Sequence, residues 1–122
     1  MRVTAGGTLI KDGKLLLGFR SNITSFYPNT WDVFGGHCES GETVEQTLVR
    51  EFVEELGVTP LRYQKLGSFD EPNPEKYGKG HHHFYAVHSW KGEPANLGKE
   101  HQVIRWFTFE DFARLDFLLR NI

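Results

Sequence analysis

The sequence predicts an α+β domain in which a mixed β-sheet lies between helices. Three observations lead there. Short β-favourable runs are separated by Asp-Gly, Pro-Asn and Gly-Gly turn signals; one segment, Thr43 to Leu56, is strongly helical in its periodicity; and no repeat or Pro/Gly/Ser-rich linker divides the 122 residues, so a single domain over 1–122 is expected.

Val3 to Ile10 is β-favourable and ends at Lys11-Asp12-Gly13-Lys14, after which Leu15-Leu16-Leu17-Gly18-Phe19-Arg20 resumes the apolar run. Asp-Gly between two such runs predicts a hairpin. Residues 21–30 are polar and turn-rich, and Trp31-Asp32-Val33-Phe34 then reads as a short strand running into Gly35-Gly36. In Thr43 to Leu56, Thr43 and Gln46 fit a capping box, and Val44, Leu48, Phe52 and Leu56 recur every four residues. Gly57 stands where a left-handed cap would close the helix. Leu61 to Phe69 and His81 to Trp90 read as strands around a polar loop, Asp70 to Gly80. Val103 to Phe107 reads as a last strand, and Thr108 with Asp111 opens a final helix through about Leu119. Trp90 and Trp106 are expected in the core.

Composition narrows the function classes. Lys plus Arg is 14 and Asp plus Glu is 16, a formal charge of -2, so there is no bulk basic field for a nucleic-acid backbone or an anionic membrane. The composition disfavours nucleic acid as a partner. Residues 1–7 lack an apolar signal core and no run spans a bilayer, which reads as a cytoplasmic chain with no membrane partner. The single cysteine, Cys38, excludes an internal disulfide and is taken as structural.

The chemistry concentrates on the first helix. Glu51, Glu54 and Glu55 stand at i, i+3 and i+4, which places three carboxylates within about 100° of one another. Like-charge pairs at this spacing, beside the negative end of the helix dipole, cost about 2 kcal/mol in total. A solvated acidic face is the plain reading, and a hard divalent cation bridging carboxylates to substrate phosphates is the functional one.

The surrounding residues favour the second. Gly36, five residues, Glu42, seven residues, then Arg50-Glu51-Phe52-Val53-Glu54-Glu55-Leu56-Gly57-Val58 match every fixed position of the Nudix box, with Phe52 at its first bulky-apolar place. By this motif the chain resembles the Nudix hydrolases. Trp31 to Gly36 looks like the family's strand entering the box, with Phe34 where proline is usual, and Glu100 followed by Ile104-Arg105-Trp106-Phe107 resembles its distal segment.

The resemblance implies an α/β/α sandwich that cleaves nucleoside diphosphates linked to another moiety, through water attack on phosphorus activated by Mg²⁺, with Mn²⁺ as a substitute. It implies metal ligation by Glu51, Glu54 and Glu55, helped by Gly35, Gly36, Glu42 and Glu100. Arg50 resembles the arginine that orients a box glutamate; Glu54 is the favoured general base and Glu100 the alternative. Arg20 resembles an arginine near substrate phosphates, although a surface ion pair reads equally well.

Other residues are read more plainly. Phe26, Tyr27 and Tyr77 flank the expected cleft and are candidates to stack on a base. In His81-His82-His83 only the first and third share a strand face; this spacing is weak for a metal, and His83 is assigned to the substrate pocket. The expected substrate is a nucleoside triphosphate, oxidised or not, split to monophosphate and pyrophosphate. Nucleotide sugars, capped RNA and a non-catalytic nucleotide-sensing module are the alternatives, and the expected assembly is a monomer or homodimer.

Overall fold

The structure is a computed structural model that describes residues 1–20 and 27–115. In chain order its elements are β1 (Arg2–Lys11), β2 (Lys14–Arg20), β3 (Trp31–Asp32), β4 (Phe34–His37), α1 (Val44–Leu56), β5 (Thr59–Asp70), α2 (Pro74–Tyr77), β6 (Gly80–Lys91), β7 (His101–Thr108) and α3 (Phe109–Phe112). The expected mixed sheet between helices is what these elements build.

The first hairpin turns where Asp-Gly predicted. Asp12 and Gly13 both take positive φ, 53° and 73°, which matches the twist of the paired strands and brings Ile10 opposite Leu15. β1 is the hub. It runs parallel to β6 from Arg2 opposite Gly80 to Leu9 opposite Val87, and antiparallel to β4 from Thr4 to Gly7. β5 closes one edge against β6, while β2 carries β3 and β7 on the other side.

Strand alternation sends β2 into two cores. Leu16 joins Ala5, Leu9, Phe34, Leu48, Phe52, Leu56, Val58, Tyr85 and Val87 beneath α1, whereas Leu15 and Leu17 join Phe107 against Phe112 and Leu115. The sheet is therefore covered by α1 on one face and α3 on the other. Helix α1 starts on the expected capping box, Thr43 Oγ1 accepting from the Gln46 amide, and ends on Gly57 at φ 71°.

Four readings need correction. The Trp31–Phe34 strand breaks at Val33, because Trp31 and Asp32 pair with β2 while Phe34 onward pairs with β1. Gly35 and Gly36 consequently lie within a strand. The Asp70–Gly80 loop contains one helical turn, α2, started by Pro74. Trp90 and Trp106 are only partly buried, stacked on each other at 6.3 Å on the margin of the core. The last helix begins on Thr108 as expected but ends at Phe112 instead of running to about Leu119, with residues 113–115 outside any helix and residues 116–119 outside the described residues.

Candidate active site

A cavity of about 570 Å³ opens beside β1 and β4. One end is acidic. There α1 lays its second half across β4, and the two glycines let it come close: a Cβ on Gly36 would lie 2.0 Å from Glu51 Oε1. A Cβ on Gly35 would lie 2.1 Å from the Ala5 carbonyl oxygen, and the Gly35 amide donates to Glu55 Oε2 at 2.8 Å. Adjacent glycines are thus what seats two box carboxylates against the sheet.

Arg50 organises this end. Its Nε and Nη2 donate to the two Glu42 oxygens at 2.7 and 2.9 Å, Nη2 also donates to the His37 carbonyl at 2.9 Å, and Nη1 reaches Glu51 at 3.3 Å and Glu54 at 3.4 Å. Glu42 accepts further from the Thr47 hydroxyl at 2.7 Å and the Glu39 amide at 3.0 Å. These hydrogen bonds, Arg50 first, hold its carboxyl down at about 2.

The three helix glutamates share a face but not an environment. Glu54 is exposed, Glu51 is half-buried and Glu55 is buried. Burial, reinforced by Glu100 and Glu51, pushes Glu55 up to about 9; burial also raises Glu51, against the pull of Arg50. Among the described residues no three His, Cys, Asp or Glu side chains already converge with metal-ligand spacing. The donors at this rim are nonetheless all oxygens and share a charge deficit, which fits a hard divalent cation.

Beside it, Arg20 Nη1 lies 3.5 Å from both Asp32 Oδ2 and Glu100 Oε2. Burial pushes Asp32 up to about 6 although Arg20 opposes it, and burial pulls His101 down to about 4. The His101 ring fits only because residue 18 is glycine, where a Cβ would stand 2.5 Å from Cδ2.

A further stretch of the lining is aromatic and hydrogen-bonded. Tyr27 and Tyr77 rings lie 4.3 Å apart, and the Tyr27 hydroxyl donates to Glu71 Oε2 at 2.7 Å. Glu71, with 1% of its side chain exposed, also meets the Asn73 amide at 2.9 Å and His82 Nε2 at 3.0 Å. Burial opposes its ionisation, but these three hydrogen bonds outweigh burial and hold it below the usual carboxylate range. Phe69 and Phe84 complete the wall.

Of the residues singled out from sequence, Arg20, Tyr27, Gly35, Gly36, Arg50, Glu51, His83 and Glu100 line this cavity. Glu42 and Glu54 join it through Arg50, and Glu55 through Gly35. Phe26 lies outside the described residues. His81 and His83 do share a face, their rings 4.9 Å apart, and that face also carries Tyr85 and Val87 beneath α1. Asp32, Glu71, His82 and Thr4 were not foreseen. The register of β1 with β6 and the fold of the 70–80 segment bring Thr4, His82 and Glu71 to the cavity, and the pairing of β3 with β2 brings Asp32.

The NUDIX domain family matches residues 1–121. The chain belongs to the Nudix family. It is 36% identical over 83 residues to the 8-oxo-dGTP diphosphatase of Escherichia coli (strain K12), covering 68% of this chain and 61% of that protein. It is 28% identical over 102 residues to the oxidized purine nucleoside triphosphate hydrolase of Danio rerio, 84% of this chain and 63% of that one. The chain therefore spans about three fifths of the length of these relatives. The MutT NUDIX hydrolase from Burkholderia pseudomallei superposes with a TM-score of 0.81 at 28% identity, covering 89% of this chain and 84% of its own.

Proposed function

We propose that the chain is a divalent-metal-dependent pyrophosphohydrolase that splits a nucleoside triphosphate, oxidised purine forms included, into the monophosphate and pyrophosphate. The observation that carries this reading is the Arg50 cluster. One guanidinium ties Glu42, Glu51 and Glu54 together at the edge of a cavity of nucleotide size. The activities for which the diphosphatase and triphosphate-hydrolase relatives are named support the substrate class.

Glu51, Glu54, Glu55 and Glu100, with the Gly35–Gly36 backbone beside them and Glu42 behind, would hold Mg²⁺ or Mn²⁺. When bound, such an ion screens the pyrophosphate charge and lowers the pKa of water. The protein's own part is positional. Arg50 holds Glu42 and Glu51 in place, and Arg20 sets a positive charge beside Glu100 where substrate phosphates would lie. Glu54 accepts the proton of the attacking water as the new P–O bond forms and the bond to pyrophosphate breaks. Exposure suits Glu54 to that role, with Glu100 as the alternative, whereas Glu55 holds its own proton near neutral pH unless a cation compensates it.

The test is release of pyrophosphate and monophosphate from nucleoside triphosphates, 8-oxo-dGTP, ADP-ribose and NAD-capped RNA, with and without Mg²⁺. Turnover of triphosphates that falls about 10²- to 10⁴-fold in Glu54→Gln is expected. Binding without turnover across the panel would overturn the reading in favour of a nucleotide-sensing module.

A further inference from the structure

The stretch of the cavity lining formed by Thr4, Glu71 and His82 has a hydrogen-bond polarity that can be worked out atom by atom. Glu71 is a nearly inaccessible, ionised carboxylate and so can only accept. Its Oε2 takes the Tyr27 hydroxyl at 2.7 Å and the Asn73 amide at 2.9 Å, and its Oε1 faces His82 Nε2 at 3.0 Å. Nε2 must therefore carry a hydrogen. In the neutral ring Nδ1 is then an acceptor, and the Thr4 hydroxyl 2.6 Å away must donate to it. With the ring neutral and its one hydrogen committed to His82, Thr4 Oγ1 can offer only lone pairs to the cavity that it lines.

We propose that Glu71, acting through the His82 ring, fixes the Thr4 hydroxyl as an acceptor toward the cavity, so that this wall selects nucleotides whose base presents an N–H there. The inference rests on the nucleotide reading of the site for its substrate and on the hydrogen-bond chain alone for its polarity. Glu71 and His82 are positioning residues; Thr4 is the group that meets the base.

The two parts separate experimentally. In Glu71→Gln the amide oxygen keeps the Tyr27 and Asn73 donors, which places the amide nitrogen opposite His82 Nε2. The ring must then accept at Nε2 and donate from Nδ1, and the Thr4 hydrogen turns toward the cavity. Long-range ¹H–¹⁵N spectra of the histidine rings, recorded without nucleotide, should show the Nε2–H form of His82 in the natural chain and the Nδ1–H form in Glu71→Gln. The Nδ1–H form in the natural chain, or a ring protonated on both nitrogens, overturns the proposal whatever the protein hydrolyses.

Substrate pairs that differ by a base N–H, the 2-amino group in dGTP against dITP and N7–H, together with the 8-oxo group, in 8-oxo-dGTP against dGTP, then read selectivity. At least one pair should favour the N–H-bearing base by about 3- to 10-fold in KM with kcat little changed, the scale of one net hydrogen bond. Thr4→Val should erase that preference, Thr4→Ser should restore it, and Glu71→Gln should weaken or invert it. Equal KM values in the natural chain, or a preference surviving in Thr4→Val, overturn the proposal while leaving the hydrolase reading intact. Failure of every nucleotide to bind overturns both.

Discussion

Arg50 grips both oxygens of Glu42, Nε on Oε2 at 2.7 Å and Nη2 on Oε1 at 2.9 Å, across a separation of eight residues that spans the start of α1. The paired geometry fixes the guanidinium plane, which leaves Nη1 directed at Glu51 and Glu54. Glu42 is thus the anchor through which the box arginine sets the position of its carboxylate neighbours.

Arg50→Lys keeps the charge and loses the fork, so it should not rescue function. We expect Mg²⁺-supported turnover to fall about 10- to 100-fold in Arg50→Lys and Arg50→Ala alike, the usual scale for groups that orient ligands, with far-UV circular dichroism unchanged. Turnover in Arg50→Lys close to that of the natural chain would show that charge alone suffices.

The two glycines should separate in their effects. At Gly35 a Cβ meets the Ala5 backbone, which cannot move without breaking the β1–β4 pairing, so Gly35→Ala should lower the melting temperature strongly. At Gly36 the obstacle is the end of the Glu51 side chain, so Gly36→Ala should fold and lose activity by displacing that carboxylate. Thermal melts paired with turnover test this; equal melting temperatures for the two variants would contradict it.

Glu55 makes stability depend on pH. Its carboxyl sits at about 9 in the folded chain against an ordinary 4.5, so the folded state keeps a proton that the unfolded state releases between these values. The associated stability is complete below about 4.5 and is lost as pH rises through about 9. His101, lowered to about 4 from 6.5, acts on the acid side: its contribution is present above 6.5 and is lost as pH falls through about 4. In EDTA, the melting temperature should therefore decline from about pH 6 to pH 9, and Glu55→Gln should flatten the decline. An equally steep decline in the variant would remove Glu55 as its source.

Divalent cations should reverse that decline. Millimolar Mg²⁺ at alkaline pH should raise the melting temperature by stabilising only the folded state, and the rise should vanish in Glu54→Gln with Glu55→Gln. A rise of the same size in the double variant would place the ion elsewhere.

Gly18→Ala tests the buried wall behind Arg20. The added methyl would meet the His101 ring, which also packs edge-on to Phe34 at 5.0 Å, so a loss of about 1–3 kcal/mol in denaturant unfolding is expected from overpacking. Shortening His101 in the Gly18→Ala background should return part of it.

Much of the fold was readable from local rules. The Asp12-Gly13 turn, the Thr43–Gln46 capping box and the Gly57 cap all appear where residue chemistry placed them, because each is decided within a few residues. The break at Val33 was not, since it arises when neighbouring residues choose different partner strands. Phe34, which stands where the family usually has proline, turns out to fill the core at 6.3 Å from Phe52.

The same division holds for the site. Spacing along one helix was enough to put Glu51, Glu54 and Glu55 on a common face, and a motif of fixed spacing was enough to show the Nudix resemblance, because both are properties of one continuous segment. Which of those carboxylates is buried depends on α1 packing against Gly35 and Gly36, and that Glu71, His82 and Thr4 form one hydrogen-bonded chain depends on Thr4 and His82, 78 residues apart, coming into register. Periodicity carries helix faces; long-range pairing and burial, which decide the charge and hydrogen-bond polarity of a pocket, exist only once the chain has folded.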